Sequence, residues 1–141
     1  MNNLLNIKIV SAKLLLILHL KNELHNISSI IYKLSLVDFL DSDLNNNNES
    51  LKNLNSISFY NKYLWESIKL LEKYNYIIID GTKVKLTYSG YTISSELSKE
   101  IISDIIVKKI SWVSNIDESD IKKIYDERVS EFTNNKMRRE S

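Results

Sequence analysis

The sequence predicts a mainly α-helical protein that carries one small β-hairpin. Apolar residues recur at helical spacing through most of the chain. One β-branched stretch is followed by an Asp-Gly pair, a strong signal for a tight hairpin turn. The chain has 141 residues, of which 43% are hydrophobic, so we expect one domain, 1–141, with a real core.

The first helix is predicted from about Ile7 to Leu24. Its apolar residues lie on nearly every side, and a helix of that kind is buried on every side. A single small domain has difficulty covering such a helix completely. We therefore expect it either at the centre of the core or in an interface with another copy or a partner.

We expect no membrane contact and a cytoplasmic location. The most apolar stretch, Leu14 to Leu20, is shorter than the roughly 20 residues that span a bilayer. Lys8 and Lys13 interrupt the apolar region, and no small-residue cleavage site follows it, so a secretion signal is not predicted. The chain has no cysteine, which excludes disulfides and is compatible with a reducing compartment.

A second helix is predicted up to about Leu40, with Ser28 or Asn26 as its N-terminal cap. The polar segment Asp41 to Ser50 contains four consecutive asparagines and predicts a surface loop. A short helical turn is expected around 51–54.

The hairpin follows a third helix, which is predicted from about Phe59 to Tyr74. Residues 76–79 are aromatic and β-branched and predict a strand, and residues 84–87 alternate apolar and polar side chains as a returning strand does. Thr87 or Ser89 is suited to cap the next helix. Two C-terminal helices are predicted at about 89–114 and 117–134, with a frayed tail after Asn134.

The middle of the chain resembles a winged-helix protein. The pattern is a leucine-ended helix, an aromatic-isoleucine strand, a short turn and a Leu-Thr-x-x-Gly sequence. It is carried by Leu70-Leu71-Glu72-Lys73-Tyr74-Asn75-Tyr76-Ile77, Asp80-Gly81 and Leu86-Thr87-Tyr88-Ser89-Gly90. The resemblance implies a winged helix-turn-helix core at about 27–97, with its wing at 76–87, between N-terminal and C-terminal packing helices. Many functions occur on this fold, so it does not imply one of them.

A narrower resemblance covers more of the chain. Together with the winged core, the opening segment 13–18 and the segment from Ile30 to Leu40 look like the small middle component of bacterial ABC-three-component systems. Those proteins are similar to winged-helix subunits that assemble on SMC-type ATPases, including Lamassu-type anti-phage systems. The resemblance implies an adaptor that bridges a coiled-coil ATPase and a nuclease or other effector subunit.

No catalytic, cofactor or metal site is predicted. His19 and His25 are the only histidines and are not part of a metal-ligand pattern. A calcium loop that began at Asp41 would need Gly at its sixth position and Glu at its twelfth, but the chain has Asn46 and Lys52 there. We therefore expect a binding protein that is not an enzyme.

DNA binding is the alternative function. The third helix and the wing contribute six candidate contact residues: Asn61, Lys62, Lys69, Lys73, Lys83 and Lys85. Acidic residues oppose these lysines, and the whole chain carries a net charge of only +1. Strong DNA binding requires many phosphate contacts. The charge therefore favours an adaptor, and the winged-helix pattern favours a dimeric transcriptional regulator.

Partner contacts are predicted at large apolar and aromatic residues. The candidates are Leu16, Leu20, Trp65, Trp112 and Tyr125. Tryptophan and tyrosine are enriched where interface binding energy concentrates. The same residue types also fill small cores, so burial in this chain remains the alternative for each of them. Self-association through the first helix is a further option.

Overall fold

The computed structural model describes residues 2–45, 56–100 and 104–140. These residues form six helices and three short strands. In chain order the elements are α1 (Asn2–Leu20), β1 (His25–Asn26), α2 (Ile27–Asn45), α3 (Ser56–Lys73), β2 (Ile77–Asp80), β3 (Lys83–Leu86), α4 (Tyr88–Glu100), α5 (Asp104–Ser114) and α6 (Glu118–Glu140). The predicted class, mainly helical with a small sheet, is confirmed.

Helix α1 is the central helix, in contact with α2, α3, α4 and α5. Its residues Leu14 to Leu18 are all buried, as expected of a helix that is apolar on every side. The expectation of burial fails for Ile9, Leu20 and Leu24, which are exposed. Leu4 and Leu5, which precede the predicted range, are more than half exposed. The helix begins at Asn2 and ends at Leu20, several residues earlier at each end than predicted.

By length and composition alone, α1 is apolar enough over Asn3–Leu20 to cross a membrane. Within the fold, however, its second half packs against the other helices. A core helix and a membrane-spanning helix share this composition, because both bury apolar side chains on every side.

Asn26 is the N-terminal cap of α2. It is one of the two caps that the sequence predicted, the other being Ser28. Its side-chain oxygen accepts hydrogen bonds from the backbone N–H of Ser28 at 3.0 Å and from the Ser28 hydroxyl at 2.7 Å. The helix continues to Asn45, so residues 41–45, predicted as loop, are helical. The rest of the predicted loop and the predicted turn at 51–54 lie outside the described residues.

Helix α3 ends in a Schellman motif. The backbone N–H of Tyr76 donates to the carbonyl of Leu71, and that of Asn75 donates to Glu72, both at 2.9 Å. Asn75 has a positive φ of 63°, the left-handed conformation that this motif requires and that asparagine tolerates. The motif reverses the chain and directs it into β2.

The sheet is antiparallel with strand order β1-β3-β2. The predicted hairpin is present: Ile79 pairs with Val84 and Asp80 with Lys83 around a turn in which Gly81 has φ 63°. The sequence did not predict β1, whose His25 pairs with Val84 on the other side of β3. Strand β3 is therefore the central strand.

Thr87 connects the hairpin to α4. Its backbone N–H donates to the carbonyl of Tyr76 at 3.0 Å, and its hydroxyl donates to the carbonyl of Asn75 at 2.6 Å. The same hydroxyl accepts the N–H of Gly90 at 3.0 Å, which makes Thr87 the N-terminal cap of α4. Of the two predicted caps, the structure uses Thr87.

The C-terminal region differs in two respects from the prediction. The range 89–114, expected as one helix, is described as α4 and α5, and residues 101–103 between them lie outside the described part of the chain. Helix α6 extends to Glu140, so the tail after Asn134 is helical where fraying was expected. Helix α6 packs mainly against α2, with Ile121 and Tyr125 buried.

A polar cluster connects the first three helices. The Tyr60 hydroxyl of α3 donates to the Asp38 carboxylate of α2 at 2.7 Å. The Lys13 ammonium of α1 donates to Asp38 at 3.2 Å and to the Tyr60 oxygen at 2.9 Å. Because each polar group has charged or hydrogen-bonding partners, the cluster fixes the relative positions of the helices without an unsatisfied buried atom.

Candidate macromolecular interface

The outward side of α3 carries five of the sequence-predicted contact residues. The opposite side of the helix packs into the core through Tyr60, Leu64, Ile68 and Leu71. The exposed side, here called the α3 face, consists of Ser58, Asn61, Lys62, Trp65, Glu66, Lys69, Glu72 and Lys73. These positions recur at three- and four-residue intervals, which places them on one side of a helix.

The α3 face is nearly neutral. Its three lysines are opposed by two glutamates, which leaves one net positive charge. Lys69 lies 3.9 Å from Glu66, and the Lys62 ammonium lies 5.2 Å from the centre of the Tyr63 ring. The Lys69–Glu66 pair is exposed and therefore weak, and the Lys62 ammonium is on an exposed residue although Tyr63 itself is buried. The lysines are thus available to a partner, but they do not form a strongly positive surface.

Trp65 lies in the middle of the α3 face. Its side chain is 48% exposed, although Trp is usually well buried in folded proteins. Asn61 and Lys62 lie one turn before it, and Lys69 lies one turn after it. The indole thus forms an apolar centre that polar and charged side chains surround.

The exposed side of the hairpin is also mixed in character. Lys83 and Lys85 of β3 are both exposed, as expected for residues two apart on a strand. Lys83 pairs across the hairpin with Asp80, and Lys85 pairs with Ile78, which is 53% exposed. The structure therefore places the two hairpin lysines on one side, together with one acidic and one apolar residue.

The five sequence-predicted partner residues divide into two groups. Leu16 and Tyr125 are 6% and 4% exposed, so they belong to the core of this chain and offer no contact surface. Leu20, Trp65 and Trp112 are 37%, 48% and 45% exposed. Helical spacing cannot distinguish these groups, because core and interface residues follow the same periodicity.

Sequence reasoning missed a buried polar cluster around β1. The backbone N–H of Asn26 donates to the Glu118 carboxylate at 2.6 Å, and the His25 Nε2 donates to the Lys21 carbonyl at 2.6 Å. Lys33 is only 1% exposed, and its ammonium donates to the carbonyl of Ser114 at 3.4 Å. No sequence signal marked this lysine as buried, because its position follows from how α2, α5 and α6 pack.

Burial controls the protonation of this cluster. Burial lowers the pKa of His25 below its ordinary value, and the nearby charge of Lys33 acts in the same direction. Burial also lowers the pKa of Lys33, while the carboxylate of Glu118 opposes this shift. Among the described residues, no three histidine, cysteine, aspartate or glutamate side chains are grouped as metal ligands would be.

Two neighbouring surface depressions flank the start of α4. One, of about 290 Å³, lies between α1, α3 and α4 and is lined mainly by apolar side chains, among them Leu15, Leu70 and Leu97. The other, of about 310 Å³, is lined by Tyr76, Tyr88, Ser89, Thr92, Ile93 and Glu96. The sequence patterns did not indicate either of them, because each set of lining residues is scattered along the sequence. The first combines residues of α1, α3 and α4, and the second combines Tyr76 with residues of α4.

No protein-family model, curated protein or solved structure matches this chain. The chemistry of the α3 face, the hairpin and the α4 depressions is therefore the structural basis for a functional proposal.

Proposed function

We propose that this chain is a non-catalytic winged-helix adaptor subunit and that its α3 face binds another protein. We further propose that this protein is a coiled-coil ATPase of the SMC type in a bacterial anti-phage defence assembly. The observation that carries the adaptor proposal is Trp65, an exposed indole at the centre of a nearly neutral helix face.

The order of elements supports a winged-helix core. Helices α2 and α3 precede the β2–β3 hairpin, and α4 follows it, in agreement with the helix, hairpin, helix order of that fold. The short strand β1, which connects α1 to α2, pairs with β3 of the hairpin. The connection between these two helices is therefore part of the sheet. In this arrangement α3 occupies the position of a recognition helix.

The composition of the α3 face favours a protein partner over DNA. An exposed Trp surrounded by polar residues resembles an interface hot spot, in which a large aromatic is covered on binding and the rim remains polar. Phosphate contacts require positive charge, and here Glu66 and Glu72 offset two of the three lysines. A partner that covers Trp65 gains apolar burial on this face, whereas DNA gains little from it.

The resemblance to the middle components of ABC-three-component systems supplies the proposed partner. In that family the small winged-helix subunit assembles on a coiled-coil ATPase and connects it to an effector subunit. The exposed Trp112 of α5 and Leu20 of α1 are available for a second contact with such an effector.

The test is affinity purification of the tagged full chain from its native host, followed by mass spectrometry. We expect a large coiled-coil ATPase in the eluate. The variant Trp65→Ala should lose the ATPase, because truncation removes the apolar centre of the contact. Its far-ultraviolet circular dichroism should be unchanged, since Trp65 is about half exposed.

Trp112→Ala is the matched control, because it removes an equally exposed indole from a different helix. The Trp112→Ala variant should still recover the ATPase, and it should lose only an effector subunit that binds at Trp112. If Trp65→Ala retains the ATPase at the wild-type level, the α3 face is not the contact. If the wild-type chain is recovered with no other protein, the adaptor proposal fails.

The second candidate function is a DNA-binding transcriptional regulator. It is favoured by the exposure of Lys62, Lys69 and Lys73 on α3 together with Lys83 and Lys85 on the wing. With Asn61, these residues would position the helix in a groove and the wing on the phosphate backbone.

Exchange of Lys62, Lys69 and Lys83 for Glu should abolish DNA binding if this second function is correct. The control exchanges Lys122 and Lys123 for Glu, because these exposed lysines of α6 belong to neither the α3 face nor the wing. Equal DNA affinity of the triple variant and the wild type, measured by fluorescence anisotropy at fixed salt, would exclude the regulator.

A further inference from the structure

The pocket at the start of α4 combines aromatic rings with a single charge. It has a volume of about 310 Å³ and is lined by Tyr76, Tyr88, Ser89, Thr92, Ile93 and Glu96. Glu96 is the only charged residue among these six. None of the six belongs to the α3 face, so the pocket is independent of the function proposed above.

The backbone that carries the two tyrosines is firmly held. The carbonyl of Tyr76 accepts the N–H of Thr87, the residue directly before Tyr88. The Tyr76 ring is also stacked on Tyr74, with ring centres 6.0 Å apart and planes inclined by 22°. The backbone and the Tyr76 ring therefore need little ordering when a ligand enters, whereas the exposed side chain of Tyr88 is ordered only on binding.

The lining suits a cation. The faces of tyrosine rings are electronegative and attract an ammonium or guanidinium group. The carboxylate of Glu96 adds a full negative charge, and it makes no ion pair with any described residue. The positive end of the α4 dipole does not cancel this charge, because the dipole acts mainly within the first turn and Glu96 is in the third.

We propose that this pocket binds an arginine side chain of a partner protein. Guanidinium is planar, so it stacks on a phenol ring while its edge donates two parallel hydrogen bonds to a carboxylate. It is also less strongly hydrated than ammonium and loses less on entering a partly apolar pocket. Tyr88, which is 88% exposed, lines the solvent side of the pocket.

The test is a titration of the ¹⁵N-labelled full chain with N-acetyl-arginine amide, in which binding is measured by the chemical shifts of the backbone NMR signals. The backbone signals of Tyr88, Thr92 and Glu96 should move and saturate in the millimolar range. N-acetyl-citrulline amide has the same shape without the charge and should produce no saturable shift. N-acetyl-lysine amide should bind more weakly than the arginine probe.

Two variants locate the site. Glu96→Gln should weaken arginine binding at least about tenfold, because a charge-assisted hydrogen bond is lost. Tyr88→Ala should weaken it as well, and its high exposure means that the fold is unaffected. The control, Glu72→Gln, removes an exposed carboxylate of the α3 face and should bind arginine as the wild type does.

Four outcomes would each overturn the proposal, and the first three compare probes or variants. These three are equal shifts with the citrulline probe, equal affinity for the lysine probe, and unchanged affinity in Glu96→Gln. The absence of any shift up to the solubility limit of the arginine probe would also overturn it. None of these results bears on Trp65, so this proposal and the adaptor proposal can fail independently.

Discussion

Gly90 lies directly against the carbonyl group of Tyr76. A Cβ atom built on Gly90 would overlap the Tyr76 oxygen and approach its carbonyl carbon to 2.8 Å. The same carbonyl accepts the backbone N–H of Thr87 at 3.0 Å. The first turn of α4 therefore packs against Tyr76, which follows the C-terminal end of α3. These contacts hold together the two ends of the β2–β3 hairpin.

This contact predicts that Gly90→Ala is strongly destabilising. Any side chain at this position must displace backbone, and overpacking of this kind costs about 1–3 kcal/mol or more. The control is Gly81→Ala in the hairpin turn, where φ is +63° but no atom lies within 4 Å of the added Cβ. That change should cost only about 1 kcal/mol from the left-handed backbone.

Urea denaturation followed by circular dichroism measures both variants. The free energy of unfolding should fall more for Gly90→Ala than for Gly81→Ala. An equal or smaller loss for Gly90→Ala would mean that α4 moves away from Tyr76 at little cost.

A second prediction concerns Asn75 at the end of α3. Because its φ is 63°, Asn75→Gly should leave the free energy of unfolding unchanged or slightly raised. Asn75→Ala should lower it by about 1 kcal/mol, since a Cβ without a local hydrogen-bonding group disfavours the left-handed conformation. The same urea experiment tests this. A Gly variant less stable than the Ala variant would contradict the assigned C-cap.

A third prediction concerns pH and His25. Burial lowers the pKa of His25 in the folded chain below the 6.5 of an unfolded chain. Well above pH 6.5 the imidazole is neutral in both states, so its titration has no effect on stability there. As pH falls below 6.5 the unfolded chain takes up the proton first, so the folded state loses stability until the lower, folded pKa is passed.

The free energy of unfolding should therefore fall between pH 7.5 and pH 5, and His25→Gln should reduce this fall. His19→Gln is the comparison, because His19 is the second histidine with a pKa lowered by burial, but it is less buried and lies beside Tyr91. If removal of His25 leaves the pH profile unchanged, its imidazole does not control acid stability.

The sequence alone predicted the helices and the hairpin, because their signals are local. Apolar spacing identified α1 and α3, and the Asp80-Gly81 pair located the turn. Strand β1 was missed because two residues carry no periodicity, and His25 becomes a strand residue only by pairing with Val84. The asparagine-rich segment after Leu40 gave the opposite error. Its residues favour turns, so a loop was predicted from Asp41, but α2 continues to Asn45.

The candidate site was harder to predict than the fold. The sequence predicted Trp65 and the lysines as contact residues, and the structure shows them exposed. It gave Leu16 and Tyr125 the same status, although both are buried. Periodicity states which side of a helix is apolar and does not state whether this chain or a partner covers it. The pocket at Glu96 joins Tyr76, which lies between α3 and β2, to residues of α4, and no local pattern contains that contact.

The last prediction concerns Lys33, which is 1% exposed and has one long hydrogen bond, 3.4 Å, to the Ser114 carbonyl. Burial lowers the pKa of Lys33, so its charged form is less favourable in the folded chain than in the unfolded one. Lys33→Met keeps the length of the side chain and removes the charge. It should raise the free energy of unfolding at pH 7 by about 1 kcal/mol.

The pH dependence separates this effect from better packing. The wild type should gain stability as pH rises from the lowered folded pKa of Lys33 towards 10.5, because the unfolded chain holds its proton longer. Lys33→Met should lack that gain, so its advantage should shrink at pH 10. Lys69→Met, at an exposed position, should change neither value. A net loss of stability in Lys33→Met at pH 7 would mean that the bond to Ser114 and the attraction of Glu118 outweigh the cost of burial.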